Sequence, residues 1–373
     1  MSAFAKRASV AALGLLLIGS RTAIGQAPAA GAGAIIGTGM FTPIVENMDR
    51  SLAFYHDVFG MEVPPLPDSG ARPYNNPNPR LFKMFNIPGA RERHQAARVP
   101  GISTGVEPME IQDIDHKAVR LRIQDPGVAT LVLIVRDIDA ALAALSHANV
   151  RIVTPGGQPV MFTDGSRSVL IRDVDDRFIE VRQPASMPTT AAPEASNIID
   201  IRLSISVNDL DRTKAVYRDV LGFKVEGETE LAADDATRAL TGLAAAKVRR
   251  ARVQAQGSAL WIELVEFAGI DRTPLHMRIQ DRGAARLQLR TENIDAMVNA
   301  VKGAGLTVVT QGGGAVPIPP DFRGALVADP NNFFVSLNST RRPFKKKPVS
   351  SETRAACCIL CVTITIVYSR LSS

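Results

Sequence analysis

The body of this chain has no cysteine, because Cys357, Cys358 and Cys361 all lie close to the C-terminal end. No disulfide can therefore hold the fold together, even in an oxidising compartment. The sequence also lacks a nucleophile motif, a phosphate-binding loop and a dinucleotide fingerprint. These absences remove the reaction classes that are most easily identified from short motifs.

A basic surface stripe is absent too, although the net charge is +6. Much of the excess positive charge belongs to the two ends, at Lys6, Arg7, Arg21, Arg341, Arg342, Lys345, Lys346 and Lys347. The body should be close to neutral, so we expect no nucleic-acid partner. With 46% apolar and 21% charged residues, the chain is globular, and 373 residues can hold two domains.

Residues 1–25 are typical of a secretory signal. Lys6 and Arg7 precede an apolar run at 8–19, and Ala23-Ile24-Gly25 supplies small residues for cleavage. The alternative is an uncleaved membrane anchor, although the run is short for a span. Residues 26–35 form a flexible leader. The sequence thus predicts a secreted or periplasmic protein.

The segment 341–373 is expected to lie outside the fold. A basic and polar stretch leads into the apolar residues 355–368, which contain the three cysteines. The cysteine cluster could serve as a metal or lipidation site, or could be without a role. Through either terminus, peripheral membrane contact is an alternative to a fully released protein.

An internal repeat organises everything between the two ends. VENMDRSLAFYHDVFGMEV at 45–63 returns as VNDLDRTKAVYRDVLGFKV at 207–225, and RIQDPG at 122–127 returns as RIQDRG at 278–283. A repeat at a nearly fixed offset indicates a duplicated structural unit. Within each copy, apolar spacing and glycine caps predict two βαβββ modules, so the chain has four modules of class α+β.

A linker rich in Pro, Ala, Ser and Thr at 184–197 divides the modules into two predicted domains, 36–183 and 198–340. Residues 64–101 are rich in Pro, Asn and Arg and longer than a hairpin needs. Such a segment is either a lid or binding loop, or a variable surface loop.

The repeated helix motif and paired βαβββ modules resemble the vicinal oxygen chelate superfamily, which includes glyoxalase I, bleomycin-resistance proteins and extradiol dioxygenases. The resemblance covers nearly all of 36–340. It implies that paired modules form eight-stranded cups, and that a divalent metal (Mn, Fe, Ni, Zn or Mg) is bound in a cup by His or Gln, Glu, His and Glu.

Carried onto this sequence, the resemblance assigns one ligand position to each of four strands per domain. In the first domain these positions are Met40, Glu110, Thr130 and Glu180. In the second domain they are Arg202, Glu263, Arg286 and Ser336. Glu266 competes with Glu263, because ungapped extension of the repeat matches Glu110 to Glu266.

No ligand position keeps a histidine, so the sequence predicts no certain cofactor. Glu110 and Glu180 could hold a hard cation weakly, with His116 as a third ligand from outside the family positions. His276 is a similar alternative. In the second domain, a guanidinium group cannot ligate a metal.

Strand alternation predicts what the cups hold instead. Arg202, Arg286, Gln288 and Arg290 face inward in the second domain, which suits a carboxylate or phosphate. The alternative is a structural ion pair with Glu263. Met40, Thr130 and Phe178 make the first cup mostly apolar, and there Glu110 and Glu180 could act as general acid and base, or one could pair with Arg182.

Two functions follow. The first is a protein that binds a small organic molecule, such as an organic anion, without a full catalytic metal site. The second is a divalent-metal-dependent lyase, isomerase or extradiol dioxygenase of the glyoxalase type that uses Glu110 and Glu180. The family also exchanges modules between domains, and that exchange would separate Glu110 from Glu180.

Overall fold

The computed structural model describes residues 33–74, 79–318 and 322–340. The expected signal segment 1–25, most of the leader and the tail 341–373 lie outside these ranges. The first strand begins at Ile35, one residue before the expected domain start. Within the described ranges, no helix is long and apolar enough to cross a membrane.

The described elements fall into the four modules that the repeat predicts. Module 1 contains β1 (Ile35–Val45), α1 (Met48–Phe59), α2 (Pro79–Phe85), β2 (Arg91–His94) and β3 (Met109–Gln112). Module 2 contains β4 (Ala129–Val135), α3 (Ile138–His147), β5 (Val160–Met161), β6 (Arg167–Arg172) and β7 (Phe178–Gln183).

The second half of the chain repeats this order. Module 3 contains β8 (Ile198–Val207), α4 (Leu210–Ala215, continued by a π turn at Val216–Val220), β9 (Lys224–Glu226), β10 (Ala232–Ala233), α5 (Asp235–Thr241), β11 (Lys247–Gln254) and β12 (Trp261–Ala268). Module 4 contains β13 (Ala285–Thr291), α6 (Ile294–Gly303), β14 (Thr307–Val308), β15 (Val316–Ile318), β16 (Phe322–Ala328) and β17 (Phe334–Thr340).

The first helix of each module begins at a side-chain cap. Asn47 accepts from the backbone N–H of Arg50, and Asp137, Asp209 and Asn293 make the corresponding bonds in the other modules. Such a cap satisfies an N–H that has no partner inside the helix. At the other end of α1, Gly60 adopts φ 65°, which a residue with a side chain adopts only at a cost. The motif read from the sequence thus sets the helix bounds.

The modules pair across the two halves of the chain. The first sheet has the order β14-β16-β17-β13-β1-β3-β2 and joins module 1 to module 4 through antiparallel β1 and β13. The second sheet has the order β10-β11-β12-β8-β4-β7-β6-β5 and joins module 2 to module 3 through antiparallel β4 and β8. The expectation that modules 1 and 2 form one cup, and modules 3 and 4 the other, is therefore wrong.

The two faces of each sheet have different roles. Alternate strand residues such as Phe41, Leu133, Leu203 and Leu287 pack with the helices in one continuous apolar core. We call the opposite face of the first sheet the first cup, and the opposite face of the second sheet the second cup. The predicted alternation of strand residues is confirmed, because Leu287 and Leu289 lie in the helix-side core and Arg286 does not.

The segment 64–101 forms helix α2 and strand β2, so it is more than a surface loop. Helix α2 packs on β15 and β16 of module 4, and its Phe82, Met84 and Phe85 are buried. In module 3, helix α5 packs in the same way on β5 and β6 of module 2. Each cup thus receives a short helix from one module that covers strands of the other.

Candidate functional site

Glu110 does not face a cup. Its carboxylate accepts hydrogen bonds from the backbone N–H of Met48 at 3.0 Å and from Arg93 Nε and Nη2 at 2.9 and 2.7 Å. Its neighbours Met109 and Ile111 point the other way, into the apolar part of the first cup. The carboxylate therefore sits at the N-terminus of α1, where the helix dipole and Arg93 favour negative charge.

Glu266 makes the same interaction in module 3. It accepts from the backbone N–H of Leu210 at 2.7 Å, at the start of α4, and from Arg249. The match of Glu110 to Glu266 by ungapped extension is thus the structurally correct one. Three residues earlier in each module, Glu107 and Glu263 take the cup-facing position. The assignment of Glu110 to the cup is wrong by three residues, and Glu107 is the residue that the sequence reading missed.

The first cup contains a buried polar cluster centred on Glu107. Its Oε2 accepts from Thr42 Oγ1 at 3.1 Å, from Gln288 Nε2 at 2.7 Å and from Arg286 Nη2 at 3.4 Å. Arg286 also donates to Ser336 Oγ at 3.0 Å. Burial lowers the pKa of Arg286, although Glu107 and Glu92 partly oppose that effect. A guanidinium group therefore occupies a position that the family resemblance assigns to a metal ligand.

Strand β2 adds two further titratable side chains to this cup. Glu92 and His94 pair with Ile111 and Met109 across β2 and β3, so they face the cup with them. His94 Nδ1 lies 2.8 Å from Glu92 Oε2. Burial lowers the pKa of His94, but Glu92 and Glu107 outweigh it and the net shift is upward. These two side chains were also missed, because β2 lies in a segment predicted only as a long loop.

The second cup brings together Glu180 and Glu263. Both line one cleft, together with Arg182, Arg202, Ser204 and Trp261. Glu180 belongs to β7 of module 2 and Glu263 to β12 of module 3, so the cross-pairing of modules creates this arrangement. The grouping of Glu110 with Glu180 is wrong, since these residues lie in different sheets.

Two arginines of the second cup keep their terminal nitrogens available. Arg182 uses Nε, at 2.9 Å from both Ser168 Oγ and Glu180 Oε1. Arg202 uses Nε to reach Asp200 at 2.8 Å, and its guanidinium lies 4.2 Å from the centre of the Trp261 ring. In the described part of the chain, the terminal nitrogens of both arginines have no hydrogen-bond partner. The two side chains are 21% and 22% exposed, so solvent or a ligand can reach them.

Glu263 does not form the close structural ion pair that was the alternative to an anion site. Its nearest cationic partner is Arg250, whose Nε lies 3.5 Å from Oε2. Arg250 binds Asp234 and Thr237 at the start of α5 more closely. Arg202 and Arg286, the two arginines considered as partners of Glu263, bind Asp200 and Glu107 instead.

The remaining predicted site residues are divided between the cups. Thr130 is buried opposite Ser204 in the second sheet, and Phe178 lies under the guanidinium of Arg172 at 3.9 Å. Met40 is buried in the first sheet where β1 shifts register against β13, and Arg290 is exposed on β13.

The expected third metal ligand is not near the carboxylates. His116 Nδ1 lies 3.1 Å from the carbonyl of Ile114, in the segment between modules 1 and 2. Over residues 33–74, 79–318 and 322–340, no group of three or more His, Cys, Asp and Glu side chains could hold a metal ion. The predicted set of Glu110, Glu180 and His116 is therefore not assembled.

The donor set of the second cup does not fit a catalytic divalent metal. Such sites commonly need three protein ligands, with imidazole among them. Here the family positions offer two carboxylates, Glu180 and Glu263, and one of these is paired with Arg182. Arg202, with its fixed positive charge, takes a third position and cannot ligate.

Comparison with known proteins agrees with this architecture. The model of the Glyoxalase/Bleomycin resistance protein/Dioxygenase superfamily matches residues 39–180 and 201–330. Glyoxalase I from Zea mays superposes with a TM-score of 0.52 at 15% identity, over 83% of this chain and 92% of that one. A candidate dioxygenase from Bacillus subtilis subsp. subtilis strain 168 gives a TM-score of 0.51 at 13% identity, over 83% and 87%.

At these identities, the two solved structures are evidence for the fold alone. A search of curated protein sequences finds no match to the chain.

Proposed function

Because the chain belongs to the Glyoxalase/Bleomycin resistance protein/Dioxygenase superfamily, we propose that it binds a small organic carboxylate in its second cup, without a catalytic metal. Members of this superfamily typically use divalent metals. The residues of this cup favour binding of an anion instead. The observation that carries the proposal is that Arg182 and Arg202, whose terminal nitrogens have no hydrogen-bond partner among the described residues, line one cleft together with Trp261.

The charges and apolar walls of the cleft define the ligand class. A carboxylate can accept two parallel hydrogen bonds from a guanidinium group, and Arg182 and Arg202 each offer terminal N–H groups. Val132, Ile134 and the Trp261 ring supply apolar surface for the body of the ligand. The enclosed part of the cleft measures only about 10 Å³, and the rest of its space is open to solvent. This is far below the range typical of drug-sized ligands, so the ligand should be small and remain partly exposed to solvent.

Trp261 provides a direct assay, because it is the single tryptophan of the chain. We expect benzoate to change its fluorescence saturably, and benzamide and benzylamine to have little effect. Arg202→Ala should weaken benzoate binding about tenfold, since one charge-assisted hydrogen bond contributes roughly 1.5–3 kcal/mol. Arg218→Ala is the matched control, because Arg218 is exposed on the π turn after α4 and pairs only with its neighbour Asp219.

Two results would contradict this proposal. One is equal benzoate affinity in Arg202→Ala and the parent protein. The other is a stoichiometric metal in the purified protein that is lost in both Glu180→Ala and Glu263→Ala. The second result would favour the metal-dependent lyase, isomerase or dioxygenase, with Glu263 in the place that the sequence reading gave to Glu110.

The place of action belongs to the same proposal. Residues 1–25 support export to the periplasm or the medium, and the two termini support peripheral membrane contact as the alternative. Cell fractionation of the full chain and of a variant that lacks residues 1–25 tests export. Equal distribution of the two proteins among the cytoplasmic, periplasmic and medium fractions would contradict it.

A further inference from the structure

Arg286 in the first cup is a buried cation with an unsatisfied donor. Its side chain is 7% exposed, and its Nε has no hydrogen-bond partner. It is one of three buried side-chain polar atoms in this condition among the described residues. The adjacent Nη2 is bound only at 3.4 Å, to Glu107. The Nε–Nη2 edge of Arg286 is therefore largely unused. This is the edge to which a carboxylate commonly binds with both oxygens.

Other arginines of this chain show that the fold can satisfy such an edge. Arg93 donates Nε and Nη2 to Glu110 at 2.9 and 2.7 Å. Arg122 donates Nε and Nη2 to Asp125 at 2.8 and 2.7 Å. An unpaired buried donor costs free energy, about 1–3 kcal/mol and more for a charged group. Arg286 differs from these arginines because its Nε–H stays unpaired, so the folded protein bears this free-energy cost.

Helix α2 covers this arginine. The ring of Phe85 lies 5.1 Å from the Arg286 guanidinium carbon, and Phe82 and Met84 fill the adjoining part of the cup. Met84 Sδ lies only 2.5 Å from where a Cβ on Gly324 would be, so the helix is seated directly on β16. The helix has two short turns, and its further anchors on module 4 include the bonds from Thr310 Oγ1 to the Met84 carbonyl and from the Gln311 N–H to the Lys83 carbonyl, both at 3.0 Å.

The polar contacts of the first cup leave the Nε–Nη2 edge of Arg286 as the place for one more anion oxygen. Glu92 and Glu107 supply the carboxylates of this cup, and both raise the pKa of the His94 imidazole. His94 already lies against Glu92, and Glu107 has neutral donors in Gln288 and Thr42. Glu107 can therefore give up its long contact to Arg286 without losing its other hydrogen bonds.

We propose that the first cup is a second anion site, in which a compact monocarboxylate binds the Nε–Nη2 edge of Arg286 after helix α2 lifts Phe85 from the guanidinium group. Helix α2 of the unliganded protein therefore covers the proposed site and competes with the ligand for it. This site is separate from the one proposed in the second cup, and neither depends on the other.

The test observes Arg286 directly in the full chain. With 15N-labelled arginine, the Nε–H signal that disappears in Arg286→Lys identifies this residue in the NMR spectrum. Acetate should shift that signal saturably, and acetamide, its neutral isostere, should not. Phe85→Ala should bind acetate at least fivefold more tightly, because the competing ring is removed. Phe162→Ala is the matched control, since Phe162 covers Arg182 in the second cup at 4.7 Å.

An Nε–H signal that acetate leaves unchanged in both the parent protein and Phe85→Ala would overturn the proposal, as would an equal response to acetamide. The benzoate titration monitored by Trp261 is run on the same samples. Thermal unfolding by circular dichroism reports whether each variant is folded, and the benzoate titration tests the second cup independently. If Arg286→Lys does not fold, triple-resonance assignment of the parent protein identifies the Arg286 signal, and the titrations of the parent protein and Phe85→Ala decide the outcome.

Discussion

At the scale of single residues, two buried carboxyl groups repeat the same contact. Tyr55 Oη donates to Asp173 at 3.4 Å, and Tyr217 Oη donates to Asp329 at 3.4 Å. Burial raises the pKa of each aspartate to about 6. Both tyrosines come from the repeated helix motif, and both aspartates from the turn before the last strand of the following module.

Because the pKa of these aspartates is raised in the folded state, their ionised forms destabilise the folded protein above about pH 6. Below about pH 4, Asp329 is protonated in the folded and unfolded chains, and it makes no difference to stability. Between pH 4 and 6, the unfolded chain releases the proton while the folded chain keeps it, so stability falls as pH rises. Above pH 6 the penalty is complete, at most about 3 kcal/mol for the shift from 3.8 to about 6.

We predict that Asp329→Asn gains stability relative to the parent protein as pH rises. The amide cannot ionise, and its oxygen can still accept from the backbone N–H groups of Asn331 and Phe333. The difference in unfolding free energy between variant and parent should increase by about 1–2 kcal/mol from pH 5 to pH 8. Urea unfolding at the two pH values measures it.

Asp211→Asn is the control for this measurement. Asp211 is exposed, and Arg249 and Lys214 lower its pKa, so it stays ionised throughout pH 5 to 8. Its difference from the parent should be independent of pH in this range. A flat difference for Asp329→Asn as well would show that Asp329 ionises at its ordinary pKa.

Predictions from the sequence were more accurate for the two faces of each strand than for the glutamate that faces the cup. Alternation correctly placed Arg202, Arg286 and Glu180 away from the helices. Glu110 was misplaced because its MEI context matched the family pattern, whereas two glutamates three residues apart face opposite sides of an extended chain. The contact of Glu110 with the start of α1 is tertiary, so no local pattern showed it.

At the scale of elements, the linker between the two halves is packed closely against module 1. Gly101 adopts φ 78°, and a Cβ there would lie 2.0 Å from the carbonyl oxygen of Ala191. Arg136 holds the same stretch by donating to the carbonyls of Ala192 and Ser196. The segment predicted as a linker from its composition is therefore in contact with the folded body over part of its length.

We predict that Gly101→Ala destabilises the protein by about 3 kcal/mol, because the methyl group adds a clash with backbone to the cost of a left-handed conformation. Gly89→Ala separates the two effects. Gly89 adopts φ 82° but has no atom within 4 Å of a Cβ, so only about 1 kcal/mol should be lost. Equal losses in urea unfolding would show that the linker moves away freely.

Helix α2 could not have been predicted from composition. Its seven residues are too few for a helical period to stand out, and the segments around it are rich in proline and glycine. The cup supplies the missing stability, because Phe82, Met84 and Phe85 bury their side chains against module 4. Its existence depends on residues more than 200 positions further along the chain.

At the scale of the whole molecule, each sheet needs strands from both halves of the chain. Strand β1 pairs with β13, and β4 pairs with β8. A half that contains modules 1 and 2 would therefore leave two long strand edges without partners. Such edges favour association with another chain.

We predict that residues 26–190 and 191–340, produced separately, do not unfold cooperatively as monomers, whereas the two halves produced together form a 1:1 complex. Size-exclusion chromatography and thermal unfolding by circular dichroism measure both properties. A folded monomer of either half would mean that modules 1 and 2, or 3 and 4, can close a cup within one half. The binding assay with Trp261 then tests whether the complex has recovered the second cup.

The sequence could not choose between the two ways of pairing modules. The four modules share one order of elements, so their strand edges are chemically similar, and both pairings satisfy the same alternation pattern. The choice follows from contacts that link distant segments, such as Arg177 with the carbonyls of Gly283 and Ala284. The fold class and the four modules were nevertheless predicted correctly from the repeat.

The nested pairing of modules has a consequence for synthesis on the ribosome. Modules 2 and 3 follow one another, so the second sheet has all its strands once residue 268 has left the exit tunnel. Strand β1 must wait for β13, because Ile35 pairs with Thr291. The nascent protein can therefore complete the second sheet and its cleft first, whereas strand β1 of its N-terminal module has no β13 to pair with until the last module emerges.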